Sequence, residues 1–185
     1  MTSDFLKKFL GPEQIEGALD EVAELADHSG AQVALIGGVA LQLYGSDRMT
    51  KDIDFVGDVE FEGLIEPGRV GIGGFKGKTS NGVQVDVLIG GDYPSLRTAT
   101  LENAEEVAGL PVRVARLEHI LALKLVAGRQ KDELDIKTML MLGNADLELT
   151  REIIGEHVGK YAVGDFDSFV IEVAWRQKRD LEKEK

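Results

Sequence analysis

The stretch VALIGGVALQLYGSDRMTKDIDFVG, residues 33–57, decides the fold of this chain. It opens with a short apolar run, Val33 to Ile36, of a length typical of a buried strand. Two glycines follow, then a segment of helical period that ends near Gly45. A polar loop leads into a second strand pattern, Asp52 to Val56. Residues 33–57 therefore predict a strand, a glycine turn, a short helix and a second strand in this order.

Two aspartates stand in the second of these strands. Because side chains alternate between the faces of a strand, Asp52 and Asp54 share one face while Ile53 and Phe55 point into a core. Neighbouring carboxylates repel each other, and Asp is depleted in strands. Mg²⁺ prefers oxygen ligands and binds through one or two carboxylates plus substrate phosphates, so it turns this repulsion into attraction. We therefore interpret the pair as a metal site.

The glycine pair Gly37-Gly38 stands at a strand-to-helix turn, where missing side chains let the backbone approach a ligand closely. The helix that begins there offers free N–H groups and the positive end of its dipole to an anion. The loop before the second strand carries two cations, Arg48 and Lys51. Residues 33–57 therefore combine a predicted phosphate site with a predicted metal site.

The order of these motifs resembles a known signature. An apolar strand with Gly-Gly, a short helix and an Asp-apolar-Asp-apolar strand is similar to the nucleotidyltransferase superfamily related to DNA polymerase beta. The segment from Gly45 to Phe55, GSDRMTKDIDF, resembles more closely the stand-alone nucleotidyltransferases that include the AbiEii-type toxins of type IV toxin–antitoxin systems. The resemblance spans residues 30–140 and implies an α/β (α+β) fold, with a mixed-sheet nucleotidyltransferase core and a helical C-terminal part.

A third carboxylate, Asp86, lies in the middle of the apolar run Val83 to Ile89. Its neighbours Val85 and Val87 take the opposite face of the strand, and a carboxylate in such surroundings needs a partner. An ion pair with an arginine, or a position at a solvent-facing edge, would satisfy it as well as a metal would. The resemblance implies a metal, because the superfamily takes its third carboxylate from a strand after the paired one.

Further along the chain, residues 124–135, KLVAGRQKDELD, continue from a predicted helix over residues 117–127. Taken alone, Lys124 among apolar neighbours fits a lysine whose stem covers apolar surface. Together with Arg129, Asp132 and Asp135 it resembles the Lys…Arg…Asp-x-x-Asp region of the toxin-like family. That likeness implies that Lys124 and Arg129 lie near nucleotide phosphates, where cations neutralise the charge that develops during transfer.

The composition limits the classes of protein and partner. The 185 residues are 43% hydrophobic, which suits one compact domain with a helical extension. There is no cysteine, so disulfides and thiolate ligands are excluded, as fits a reducing cytoplasm. We expect a cytoplasmic protein with no membrane partner, because no apolar run approaches the ~20 residues of a membrane helix and no secretory signal is evident. The net charge of −12 argues against broad, non-specific nucleic-acid binding.

The remaining segments have simpler patterns. Helical spacing predicts helices over residues 3–10, 13–28, 135–142, 147–161 and 166–184. Other patterns predict a polar connection over 57–69, a bulged strand over 70–78, a hairpin at Ser80-Asn81-Gly82, a loop over 90–100 and a strand over 110–115. We divide the chain into a nucleotidyltransferase core with N-terminal helices, residues 1–115, and a helical part, residues 116–185, that completes the active-site cleft.

The resemblance also implies a reaction, the transfer of an NMP from an NTP to an acceptor hydroxyl with two Mg²⁺ ions. The acceptor would be an RNA 3′ end, a protein or a small molecule, and a cognate antitoxin protein would be a further partner. The metals would be held by Asp52, Asp54 and Asp86. The nucleotide would be held by Gly37, Gly38, Arg48, Thr50, Lys51, Lys124 and Arg129.

Two other interpretations stay open on the sequence. A non-catalytic module of the same fold would regulate or bind a partner, although three retained carboxylates argue against it because nothing but metal compensates their repulsion. Alternatively, the aspartates form structural ion pairs with Arg48, Arg69 or Arg113, which predicts no Mg²⁺ dependence of nucleotide binding.

Overall fold

The structure is a computed structural model, and it describes residues 9–71 and 73–183. Of the predicted first helix, residues 3–8 lie outside the described residues, and Phe9 and Leu10 are not helical. The helices are α1 Pro12–Ser29, α2 Gly37–Leu43, α3 Pro94–Glu102, α4 Leu117–Ala127, α5 Gln130–Leu142, α6 Leu147–His157 and α7 Lys160–Lys183. The strands are β1 Val33–Ile36, β2 Asp52–Gly57, β3 Ile65–Val70, β4 Gly74–Lys78, β5 Gln84–Leu88 and β6 Arg113–Val114.

The six strands form one mixed sheet in the order β3-β4-β5-β2-β1-β6. Strand β2 pairs antiparallel with β1 and parallel with β5, and β6 adds a short parallel edge to β1. Helices α4 to α7 follow the last strand. The expected fold class, a mixed α/β sheet with a helical C-terminal part, is confirmed.

The alternation of residues in β2 and β5 separates a core face from a site face. Ile53, Phe55, Val85 and Val87 are fully buried in the main apolar cluster, which also contains the inward residues of α1. Burying a side chain of this size contributes roughly 1.5–3 kcal/mol, so four such residues fix the register of the two central strands. The aspartates therefore point away from this core.

Three segments differ from the prediction. The predicted bulged strand over 70–78 contains instead the end of β3, a turn in which the N–H of Gly73 donates to the oxygen of Val70, and β4, which returns antiparallel. The predicted polar connection over 57–69 contains most of β3, an edge strand with a register shift between Ile65 and Gly68. Most of β3 is exposed, so it lacks the apolar alternation that marks a half-buried strand. The predicted loop over 90–100 contains most of α3, which begins at Pro94 and buries Leu96 against the core.

Other local predictions are confirmed with small changes in their bounds. Strands β4 and β5 pair antiparallel around the predicted hairpin, where Gly82 has a φ of 81°. The predicted strand over 110–115 is reduced to the two residues of β6. Within the described part of the chain, no helix is long and apolar enough to cross a membrane.

Candidate functional site

Three carboxylates meet on the site face of the two central parallel strands. Asp54 of β2 is the direct register partner of Asp86 of β5, and Asp52 lies two residues before Asp54 on the same face. One oxygen from each of the three carboxylates lies within 4.8 Å of the others, close enough to share a cation. The parallel pairing of β2 and β5 thus brings together residues that are more than 30 positions apart.

Asp54 is the least compensated member of this triad. Asp52 accepts a hydrogen bond from Thr50 Oγ1 at 3.0 Å, and Asp86 accepts one from Gln84 Nε2 at 2.9 Å. Within the described residues, the Asp54 carboxylate accepts no hydrogen bond and forms no ion pair. Burial and the charges of Asp52 and Asp86 raise its pKa from 3.8 to about 6, against the opposing charges of two nearby lysines. A divalent cation would relieve this repulsion.

The structural ion-pair interpretation of the aspartates is wrong, because the three arginines bind elsewhere. Arg48 Nε lies 3.1 Å from Asp135 Oδ1. Arg69 Nη1 lies 2.6 Å from Glu60 Oε2, and Arg113 Nη2 donates to the side chain of Gln32 at 3.1 Å. Within the described ranges, the triad has no cationic side chain within ion-pair distance.

Side chains of the protein itself occupy the space that a Cβ would need at each glycine of the pair. Gly37 has a φ of 69°, and a Cβ there would overlap the carboxylate of Asp54. A Cβ on Gly38 would lie 2.9 Å from both Arg48 Nη2 and Thr50 Oγ1. The two glycines therefore let Asp54 and the loop before β2 pack against the turn. As the first residues of α2, they also carry N–H groups without intrahelical partners.

A buried ion network lies beside the triad. Lys124 Nζ donates to Asp135 Oδ2 at 2.6 Å and to Asp132 Oδ1 at 3.3 Å. Arg129 donates to Asp132 through Nε at 2.6 Å and Nη2 at 3.2 Å, and Arg48 pairs with the other oxygen of Asp135. Asp132 and Asp135 thus hold three cations in place, and the network keeps an excess positive charge.

The electrostatics of the network follow from its contacts. Burial opposes ionisation of Asp132, but the hydrogen bond from Arg129 and the charge of Lys124 outweigh it and lower the pKa of Asp132. The same hydrogen bond raises the pKa of Arg129. Both side chains are therefore charged at neutral pH. The Arg129 side chain is 59% exposed, so solvent screens its pair with Asp132, whereas Lys124 is buried together with both of its carboxylate partners.

A cleft of about 290 Å³ opens next to the triad, between the sheet and α4. Of the predicted site residues, it is lined by Gly37, Arg48, Asp54, Asp86, Lys124 and Arg129. Three predicted residues do not line it: Gly38 is buried, Thr50 is buried and donates to Asp52, and Lys51 is exposed with its Nζ 5.4 Å from the centre of the Phe9 ring. Asp52 does not line the cleft either, but one of its carboxylate oxygens lies within 4.8 Å of oxygens of Asp54 and Asp86.

Sequence reasoning missed three residues that line this cleft. Lys131 forms no ion pair within the described residues, and its charge opposes the raised pKa of Asp54. Tyr93 and Arg97 also line the cleft. The available signal was Tyr93-Pro94, since proline is common at the first position of a helix and would have predicted α3 with Arg97 in it.

The chain has distant similarity to solved structures. No family model and no curated protein matches the chain. It is similar to the structure of an antigenic nucleotidyltransferase-like protein from Paracoccidioides brasiliensis, with 20% identity over 76% of this chain and 78% of that chain and a TM-score of 0.46. It is also similar to a "putative nucleotidyltransferase from H. pylori", with 14% identity over 95% of this chain and 99% of that chain and a TM-score of 0.45. Likeness at this level assigns no activity to the chain.

Proposed function

We propose that this protein is a metal-dependent nucleotidyltransferase, which transfers an NMP from an NTP to an acceptor hydroxyl and releases pyrophosphate. The observation that carries the proposal is the uncompensated triad of Asp52, Asp54 and Asp86 at the edge of a cleft that also contains cations. These three half-buried carboxylates lie close enough to repel one another, and they have no cationic partner among the described residues.

The donor set fits Mg²⁺, because all three side chains offer oxygen atoms close enough to share an ion. Asp52, Asp54 and Asp86 would hold two ions, as the resemblance implies. When bound, such ions polarise the phosphoryl oxygens and stabilise the attacking and leaving oxygens of a displacement.

The chain's own residues would bind and orient the nucleotide. Gly37 and Gly38 offer backbone N–H groups to a phosphate. Arg48, Lys124 and Arg129 would contact the triphosphate, and Asp132 and Asp135 hold them in position before it arrives. Thr50, which donates to Asp52, and Lys51, which would have to leave Phe9 to reach a phosphate, would also contribute to the nucleotide site.

The acceptor hydroxyl would lie on the side of Asp86, whose carboxylate would orient or deprotonate it. The acceptor is an RNA 3′ end, a protein hydroxyl or a small molecule, and the net charge of −12 favours an acceptor with a small footprint over an extended RNA. In this proposal the helical part, residues 116–185, completes the cleft over the core, residues 1–115, since α4 supplies Lys124 and the residue before α5 is Arg129.

A label-transfer experiment tests the proposal. The purified protein is mixed with Mg²⁺, each α-³²P-labelled NTP in turn and a cell extract. We expect label in an acceptor with the wild type and with Asp20→Asn, which removes an exposed carboxylate on α1. We expect none with Asp54→Asn. Release of the label by ribonuclease identifies an RNA acceptor, and release by protease identifies a protein.

The contradicting outcome is specific. If no NTP gives label and no NTP binds in a Mg²⁺-dependent manner, the chain is a non-catalytic module of this fold.

The resemblance to AbiEii-type toxins extends the proposal to the toxin of a toxin–antitoxin pair. Induced expression of the wild type would then arrest bacterial growth, while Asp54→Asn expressed to the same level would not. Equal growth of both strains would contradict the toxin role without touching the enzymatic proposal.

A further inference from the structure

Helix α7 has one face that packs on the protein and an opposite face that is open to solvent. Its inward residues Phe166 and Val173 are buried, whereas its last ten described residues, 174–183, are all exposed. Two large apolar side chains stand on the open face, Ile171 at 69% and Trp175 at 60% exposed. They lie one helical turn apart and therefore form one apolar patch.

This patch is part of a longer stripe, whose members follow one another at intervals of three and four residues. It consists of Tyr161, Gly164, Ser168, Ile171, Trp175 and Lys178, all of which are exposed. We call these six residues the outer stripe. Alternating intervals of three and four are typical of a helix that packs lengthwise along a second helix.

Gly164 is the residue of the outer stripe that contacts within the chain do not explain. It lies inside α7, where glycine destabilises a helix relative to alanine. Its φ is not in the left-handed region, and a Cβ there would meet nothing within 4 Å beyond the helix's own backbone. One turn later, the hydroxyl of Ser168 donates to the backbone oxygen of Gly164 at 2.9 Å. The two small residues therefore form a shallow surface without an unpaired hydroxyl, which a bulky side chain can approach closely.

The charges along α7 indicate which partner fits the outer stripe. Residues 160–172 contain three acidic side chains and one lysine, whereas residues 173–183 contain four basic and two acidic side chains. Asp165 in the first part and Lys178 in the second form no ion pair within the described residues. A second α7 that runs antiparallel would place each acidic part beside the basic part of the other copy, while a parallel pair would place like charges together.

An antiparallel pair also has a register that suits the side chains. If Trp175 of each copy lies over Gly164 of the other, Ile171 lies opposite Ser168. Each large apolar side chain then meets a small residue. In the same register Lys178 lies opposite Tyr161, whose ring can bind an ammonium group.

The exposed area sets the expected strength of this contact. A buried Tyr or Trp covers about 150–250 Å², so the four aromatic side chains of two copies would bury roughly 500 Å². Stable interfaces bury about 1,200 Å² or more in total, and the other residues along the two helices would have to supply the remainder. We therefore expect a dissociation constant in the micromolar range.

We propose that the outer stripe is the contact surface of a symmetric homodimer, in which two α7 helices pair antiparallel with Trp175 of each copy over Gly164 of the other. Such a surface is self-complementary, as a two-fold interface requires. None of the described residues of α7 lines the cleft, so the dimer leaves the candidate active site open. The proposal therefore does not depend on the proposed function.

Self-association of the full-length protein tests the proposal. Trp175 is the one tryptophan of the chain, so its fluorescence reports on this face alone. Sedimentation velocity and emission spectra are recorded between roughly 1 and 200 µM protein. We expect a monomer at the lowest concentration and mainly dimer at the highest, with Trp175 emission moving to shorter wavelength as its ring leaves water.

Substitutions on the open face of α7 separate the stripe from its surroundings. Ile171→Glu and Trp175→Ala should remain monomeric over the whole range. Both should fold as the wild-type monomer does, because the two side chains are exposed. The matched control is Leu181→Ala, which removes an apolar side chain of α7 that is 63% exposed but lies outside the stripe, and it should keep the dimer.

Gly164→Leu distinguishes a contact with a second copy from a role in folding. Leucine is the better helix former and the site is open, so the thermal midpoint of the monomer should rise. Its side chain would occupy the place of Trp175 from the other copy, so the dimer should weaken by roughly 10-fold or more. A variant that dimerises as well as the wild type would contradict the register.

Cross-linking tests the direction of the helices, on a chain that has no cysteine of its own. In the proposed register the two copies of residue 168 are offset by about 5 Å along the helix axis, and those of residue 182 by about 38 Å. With a short bis-maleimide, Ser168→Cys should therefore form covalent dimers and Glu182→Cys should not.

Four results would overturn the proposal. They are a wild type that stays monomeric up to the highest concentration, a dimer that persists in both Ile171→Glu and Trp175→Ala, covalent dimers of Glu182→Cys, and no covalent dimer of Ser168→Cys. A single-stranded RNA oligonucleotide is also titrated into the dilute protein. If the RNA shifts the emission of Trp175 and protein concentration does not, the face binds nucleic acid and not a second copy.

Discussion

Replacing Asp54 by asparagine should stabilise the fold at neutral pH, although it removes a central residue of the site. The change keeps the shape of the side chain and removes a negative charge that lies beside two others. In the metal-free protein, burial and these two charges raise the pKa of Asp54 to about 6 from 3.8. The ionised carboxylate is therefore less favourable in the folded chain than in the unfolded chain.

The magnitude follows from linkage. A pKa that is raised on folding from 3.8 to about 6 corresponds to about 3 kcal/mol at 1.36 kcal/mol per pH unit. Because Asp54 is partly exposed and solvent screens its neighbours, we expect about 1–3 kcal/mol. Between pH 4 and pH 6 the folded state keeps the proton of Asp54 while the unfolded state has lost it. Protonation of Asp54 therefore stabilises the folded wild type at low pH, and this stabilisation is lost as the pH rises.

Urea unfolding of the metal-free wild type and of Asp54→Asn at several pH values between 4.5 and 8 measures the effect. The variant should gain stability over the wild type as the pH rises, with a plateau above pH 7. Added Mg²⁺ should stabilise the wild type and leave the variant unchanged, so that the gain shrinks. A variant that is less stable than the wild type at pH 8, or a difference that does not change with pH, would refute the reasoning.

Three other substitutions have defined outcomes. Gly37→Ala should cost about 1–2 kcal/mol more in the free energy of unfolding than the control Gly30→Ala, because Gly30 has a similar φ but open space around it. Only Gly37→Ala should weaken metal binding, because its Cβ overlaps Asp54. Equal effects of the two substitutions would contradict this. Asp135→Asn should destabilise the protein by about 3 kcal/mol in urea unfolding, since the buried Lys124 keeps only its 3.3 Å contact with Asp132 and Arg48 loses its carboxylate partner, and a loss below 1 kcal/mol would show that the network is solvated. Asp146→Ala removes the N-cap of α6 and should cost about 1 kcal/mol in thermal unfolding, while label transfer stays unchanged. If the folded variant transferred no label, Asp146 would have a role that its contacts do not suggest.

The centre of the fold was predictable because its signals are local. A short apolar run, a glycine pair and an alternating strand lie within residues 33–57, and each pattern depends on the immediate neighbours. The hairpin at residues 80–82 and helix α4 were predictable for the same reason. Strand β3 was not, because an edge strand buries little and its sequence resembles a loop.

The contacts of the site could be predicted only in part. The alternation rule placed Asp52 and Asp54 on one face, but the distance to Asp86 depends on the parallel pairing of β2 and β5, which no local pattern specifies. The choice of Asp135 as the partner of Arg48 also depends on how α5 packs. Gly37 was predicted to make room for a ligand, whereas the structure shows that it makes room for Asp54.

The most direct test of the central claim is a calorimetric titration with an α,β-methylene NTP, which can bind without being transferred. It is done with and without Mg²⁺ on the wild type, Asp54→Asn and the control Asp20→Asn. If the triad holds a metal that binds the nucleotide, the wild type and Asp20→Asn will bind the analogue in a Mg²⁺-dependent manner, and Asp54→Asn will lose at least 10-fold in affinity. Equal affinity of all three proteins, with or without Mg²⁺, would contradict the account.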